Sequence, residues 1–324
     1  MRCQLVLNKP DSLKLYSLRI NSMDQLVKQR SQALTALLVL AIIWGYNWVV
    51  MKSALHYAGP FQFAAMRTFF GALVLFLVLY VTRRSMRLTE FPTMLVLGIL
   101  QNVGFTGVLM WALVEGGAGK TAVLTYTMPF WTLLFAWPLL GERVHGWQWL
   151  AVISAVLGMI FIFDPLHIRA DAFSMTLAVI SGISWSLSVI MTKKLHRRHP
   201  DLDLINLTAW PMLLGSLPMI AIAFLVPAPP IMWEPYLIGA VLFNVILCGA
   251  FAWLLWLFAL QRLPAGVASM GSMLAPVIGV IAAWIQLGEV PDAMESIGMV
   301  LIAFALLVIS WVTIREQPKP VKAI

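Results

Sequence analysis

Long apolar runs, separated by short polar or glycine- and proline-marked breaks, account for most of this chain. They lie near residues 33–52, 62–82, 92–113, 119–140, 147–163, 173–192, 204–226, 234–259, 265–287 and 293–314. Most approach the roughly 20 apolar residues that a helix needs to cross the hydrocarbon core of a bilayer. The connections between them are too short to hold a soluble domain. The pattern predicts an all-α integral membrane protein with ten transmembrane helices.

The runs also repeat. Ala118-Gly119, Pro129 and Gly141-Glu142 recur at one constant offset as Ala265-Gly266, Pro276 and Gly288-Glu289. The first run of each half matches too: Trp44 and Met51-Lys52 in WGYNWVVMK correspond to Trp185 and Thr192-Lys193 in WSLSVIMTK. Each half has five runs, an odd number, so the second half enters the membrane from the opposite side. Two inverted-topology five-helix repeats are a mark of secondary transporters, whose substrate sites lie near the midplane. The expected organisation is a tail over 1–32, a first repeat over 33–164, a linker over 165–172, a second repeat over 173–314 and a tail over 315–324. Met23 offers a second start, so residues 1–22 are a candidate start-site artefact.

Composition agrees with a lipid environment. The 324 residues are 61% hydrophobic and 11% charged, against about 25% charged in soluble domains. The net charge of +8 does not point to nucleic acid, because the basic residues sort by side of the membrane. Of the 22 Lys and Arg, all but Lys52, Arg67, Lys120 and Arg169 fall on the side of the N-terminus. Cytoplasmic loops collect such an excess, so both termini are expected in the cytoplasm. The two cysteines and five histidines lack disulfide or zinc spacing. No metal, cofactor or catalytic group is expected.

The candidate site residues are polar or aromatic groups within runs, together with the paired prolines: Trp44, Asn47, Arg67, Gln101, Asn102, Tyr126, Thr127, Pro129, Trp185, Trp210, Asn244, Ser272 and Pro276. Asn and Gln are costly in lipid and should face the interior. Pro129 removes a helix hydrogen bond whose carbonyl a neighbour must satisfy, and Thr125 and Thr127 are at hand. Arg67 lies about two turns inside its run; it either meets a substrate carboxylate or snorkels and orients helices. Lys120 is a second cation for that carboxylate or a solvated anchor. Asn47, Tyr126, Trp44 and Trp185 could receive an ammonium group. Glu142 and Glu289 are expected to cap the helix that follows each. Gly116-Gly117-Ala118-Gly119-Lys120-Thr121 looks like a phosphate loop, but Val114 stands where the pattern needs Gly and a hydrophobic run precedes it instead of a strand. It reads as a tight turn.

Ten runs in two halves, with Ala-Gly before the fourth and ninth and Gly-Glu after each, resemble the EamA family of the drug/metabolite transporter superfamily. The likeness spans about residues 35–314. WALVEGGAGKTAVLTYTMPFW, from Trp111 to Trp131, and IWGYNW look closest to its YijE-like cystine-exporter branch. The resemblance implies a multi-pass protein of the bacterial inner membrane that exports amino acids or related metabolites from a central cavity by alternating access. Its partners would be the small-molecule substrate and the lipid bilayer, without nucleic acid; a homodimer is compatible. A drug, purine or nucleotide-sugar transporter is the alternative of the same fold. A structural or sensory membrane protein is the alternative of another class, but it would need a soluble signalling domain. A membrane enzyme would need catalytic groups clustered at one depth.

Overall fold

The computed structural model describes residues 9–164, 171–199, 201–203, 205–260, 262 and 274–315. Ser272, the Ala265-Gly266 pair and most of the 165–172 linker lie outside the described residues. Among the described residues every regular element is a helix. In chain order they are α1 (Lys9–Ala54), α2 (Pro60–Val81), α3 (Phe91–Gly98, Ile99–Gly107 and Val108–Glu115) and α4 (Ala118–Thr125 and Met128–Leu140). Then come α5 (Trp147–Phe163), α6 (Ala172–Arg198), α7 (Asn206–Leu225), α8 (Pro235–Leu242, Phe243–Phe251 and Ala252–Leu260), α9 (Leu274–Leu287) and α10 (Ala293–Arg315). Within the described residues eight are long and apolar enough to cross a membrane, and α5 and α9 are shorter apolar helices. Large apolar side chains such as Phe224, 87% exposed, and Ile285, 78% exposed, cover the outside, as lipid rather than water permits.

The first helix is longer than its apolar run. From Lys9 the polar tail is helical and continuous with the span Ser31–Ala54. No Pro or Gly interrupts residues 11–44, and Leu, Lys, Gln and Arg are good helix formers.

Three interruptions shape the interior. Ile99–Gly107 and Phe243–Phe251 are π-helical segments within α3 and α8, a form often found at functional sites. The third is the break in α4 at Tyr126-Thr127, with Pro129 in the first turn of the helix that resumes. Proline has no N–H for the carbonyl of Thr125. Thr127 Oγ1 donates to Leu124 O at 2.6 Å, and Ser186 Oγ donates to Met128 O at 2.6 Å. Thr127 thus serves a carbonyl at the break, though not the one Pro129 frees. Gly182 of α6 sits against the break so closely that a Cβ there would lie 2.9 Å from Thr125 O.

The helices pack in pairs: α5 on α10, α2 on α7, α1 on α9, α4 on α6, and α3 on α7. At the α5–α10 crossing, Gly158 and Gly298 allow close approach: a Cβ on Gly158 would lie 2.7 Å from Gly298 O. Gly182→Val should destabilise the protein by about 1–3 kcal/mol through overpacking, read as a lower Tm in detergent. Gly239→Ala, whose Cβ would meet nothing within 4 Å, should not lower it. An unchanged Tm for Gly182→Val would show that α6 is not seated on the break.

Candidate functional site

The interruptions converge on a cavity of about 570 Å³, within the range of small-molecule sites. α1 contributes Trp44, Asn47, Trp48 and Met51, the i, i+3, i+4, i+7 positions of one helix face. From α2 come Arg67 and Thr68; from the π segment of α3, Gln101, Asn102, Phe105 and Thr106. Thr125, Tyr126 and Met128 of the α4 break and Trp185 of α6 form a facing wall. Asn244, Cys248, Trp253 and Trp256 of α8 close the ring. The lining extends along α2 and α7 through Val78 and Thr208 towards the end of the bundle that carries Arg84, Glu142 and Lys193. At Met51 the wall joins a buried apolar cluster that includes Ala54, Phe63, Leu113, Ala118 and Leu237.

Eight of the sequence candidates line this cavity: Trp44, Asn47, Arg67, Gln101, Asn102, Tyr126, Trp185 and Asn244. Thr127 is buried in the break and also accepts from Trp131 Nε1 at 3.1 Å. Pro129 and Pro276 lie in helix packing off the cavity wall. Trp210 is also off the wall: its Nε1 donates to Met86 O at 3.0 Å, and its ring meets Phe76 edge-on. Trp48, Met51, Phe105 and Cys248 were not among the candidates. The spacing from Trp44 and Asn47 would have found the first two.

Arg67 is the only charged side chain among the described lining residues. Its one hydrogen-bond partner among the described residues is Met51 Sδ, 2.8 Å from Nη1. Asn47 Nδ2 meets the same sulfur at 3.3 Å. A thioether is a weak acceptor and leaves the guanidinium charge uncompensated.

The other inward cations are fully engaged. Lys120 Nζ lies 2.5 Å from Asp171 Oδ2 and 2.5 Å from Glu295 Oε1, so it is neither a solvated anchor nor on the cavity wall. Lys52 Nζ donates to Leu113 O, Val114 O and Gly116 O. Glu289 does not cap the helix that follows it. Its carboxylate accepts from Ala118 N at 2.9 Å and Gly119 N at 3.1 Å, at the N-terminus of α4, where the helix dipole favours an anion. Glu142 likewise turns away from the next helix, to Lys193 at 2.6 Å and Arg197 at 2.8 Å. The Lys193 hydrogen bond, above all, holds the Glu142 carboxyl below its ordinary range. The linked stabilisation is present above that range and is lost as pH falls through the lowered value; with both partners half-exposed, it is modest.

The profile of the EamA-like transporter family matches residues 31–164 and again 172–311. The chain belongs to the EamA-like transporter family. Among similar members, the uncharacterized transporter YoaV of Bacillus subtilis is 28% identical over 80% of this chain and 89% of its own length. A probable amino-acid metabolite efflux pump of Salmonella typhimurium is 26% identical over 82% of this chain and 90% of its own length. The pseudopaline exporter CntI of Pseudomonas aeruginosa is 23% identical over 79% of this chain and 89% of its own length. A solved crystal structure shares the fold, with TM-score 0.62 and 17% identity over 89% of this chain and 99% of its own. Family and relatives indicate a membrane transporter rather than an enzyme.

Lys120→Leu removes the cation that bridges Asp171 and Glu295. It should destabilise the fold, read as a lower Tm, by less than the roughly 3–5 kcal/mol of a fully buried pair, because the side chains keep 10–22% exposure. Lys120→Arg should restore most of the loss. A Tm unchanged by Lys120→Leu would show that this contact does not hold the end of the bundle together.

Proposed function

We propose that this protein is a secondary transporter that exports small metabolites, namely amino acids or cystine-like compounds, by alternating access. The observation that carries this is Arg67, a guanidinium on the cavity wall that among the described residues is the one charged lining group and has only a sulfur for a partner. An unpaired cation in a membrane interior is costly, and a carboxylate on the ligand offsets that cost through a bidentate pair. A cationic drug meets like charge there, which disfavours that alternative. Relatives named for amino-acid metabolite efflux point the same way.

In this reading α5 and α9 also cross the membrane, giving ten spans in two inverted repeats with boundaries at 33–164 and 173–314. The packing supports it. Exchanging each helix for its counterpart five places on turns the α1–α9 contact into α6–α4 and the α2–α8 contact into α7–α3. It maps the α2–α7 and α5–α10 contacts onto themselves. The basic end of the bundle is cytoplasmic, in a bacterial inner membrane, and the cavity faces it. Trp44, Asn47, Gln101, Asn102, Tyr126, Trp185 and Asn244 surround the substrate with Arg67.

Counterflow in proteoliposomes tests this, with L-leucine, L-cystine, a purine and a cationic drug as cargo. Amino acids should exchange and the cationic drug should not. Arg67→Leu should abolish exchange at near wild-type expression and Tm, and Arg67→Lys should recover part of it, because a point charge cannot repeat the planar fork. Normal exchange by a stable Arg67→Leu protein would remove the residue from the site.

A further inference from the structure

Two asparagines of the cavity wall each keep one polar atom buried and unpaired among the described residues. Asn47 is 6% exposed and Asn244 is 2% exposed. Both line the cavity, and the Oδ1 of each has no hydrogen-bond partner among the described residues. The amide orientations follow from the partners of the nitrogens. Asn244 Nδ2 donates to Ala240 O at 3.0 Å; that carbonyl can only accept, so Oδ1 is the end left free. Asn47 Nδ2 points at Met51 Sδ, again leaving the oxygen. A buried acceptor without a donor costs about 1–3 kcal/mol, and such groups are uncommon in native interiors.

The Asn47 amide stands close to the cation. Asn47 Nδ2 and Arg67 Nη1 reach the same sulfur at 3.3 and 2.8 Å, so they are no more than about 6 Å apart. Asn244 lies in the π segment of α8, level with Asn47: the residues just before them, Tyr46 and Phe243, meet edge-on with ring centroids 6.2 Å apart. The wall therefore offers a fixed cation and two neutral acceptors. No Asp or Glu stands among the described lining residues.

We propose that the Oδ1 atoms of Asn47 and Asn244 form a site for a primary ammonium group beside Arg67, so that the cavity selects zwitterionic α-amino acids over carboxylates of the same shape that lack the nitrogen. This rests on the transport reading above and narrows it. An ammonium donates three hydrogen bonds and accepts none, which suits two bare acceptors. Amide oxygens bind it without adding negative charge, so the empty site stays cationic and still requires the carboxylate. A carboxylate ligand without nitrogen would leave both oxygens unpaired, and such a mismatch discriminates strongly.

The test is counterflow with two matched pairs: L-leucine with 4-methylpentanoate, and L-cystine with 3,3′-dithiodipropanoate. In wild type the amino acid of at least one pair should exchange at least about tenfold faster than its des-amino partner. Asn244→Leu and Asn47→Leu should each shrink that ratio mainly by slowing the amino acid. Asn244→Gln and Asn47→Gln keep a neutral amide acceptor and should retain more of the preference than the Leu variants. The wild-type ratio needs no variant to fold. Equal or faster exchange of the des-amino compound in both pairs would overturn the ammonium site while leaving transport intact. A Leu variant slowing both compounds of a pair equally would do the same. Exchange of none of the four compounds would instead refute the transport reading itself, and the ammonium site with it.

Discussion

Hydrocarbon offers no hydrogen-bond partners, so every backbone group released from a helix inside the membrane must be met by the protein itself. The interior follows from that constraint. Where α4 breaks, Thr127 and Ser186 supply hydroxyls to nearby carbonyls. Within the π segment of α3, Thr106 donates to Gln101 O at 3.1 Å, and Ser184 of α6 donates to Leu100 O at 2.9 Å. Within that of α8, Trp44 Nε1 donates to Cys248 O at 3.3 Å. Irregular backbone is tolerated in a membrane where it is buried in protein or lines a cavity. All three interruptions lie on one cavity, and they place Asn102, Tyr126 and Asn244 on its wall.

Charge obeys the same economy. Lys52 is bonded to three carbonyls and Lys120 to two carboxylates, so both cations are compensated at their end of the bundle. Glu289 ties the segment after α9 to the start of α4 there. Arg67 has only a thioether for a hydrogen-bond partner among the described residues. The difference separates two compensated cations from one that is not. Asn47 and Asn244 carry that logic to acceptors: their nitrogens are anchored and their oxygens are not.

Apolar run length gave the helices and their order, and the position of polar residues within runs pointed to most of the cavity. Arg67, Asn47 and Asn244 stood out because lipid makes such side chains expensive. Trp210 and Thr127 carry the same signal for another reason. One hydrogen-bonds a loop carbonyl and the other repairs a helix break, and composition does not distinguish these uses. The π segments were not legible, because one extra residue in a turn leaves an apolar run looking unbroken. The partners of Lys120, Glu142 and Glu289 are distant in sequence and have no local signature. Local rules therefore assigned the two glutamates to the next helix instead.

Ligand-induced stabilisation of the purified protein measures the occupancy of Arg67 without relying on transport. A single-site ligand at a hundredfold excess over its Kd stabilises the fold by about 2.7 kcal/mol. A carboxylate site at Arg67 predicts that L-leucine or L-cystine raises the Tm of wild type and that the corresponding carboxamide does not. In Arg67→Leu the shift should vanish while the ligand-free Tm stays close to wild type. An equal shift from acid and amide, or a full shift in Arg67→Leu, would contradict it.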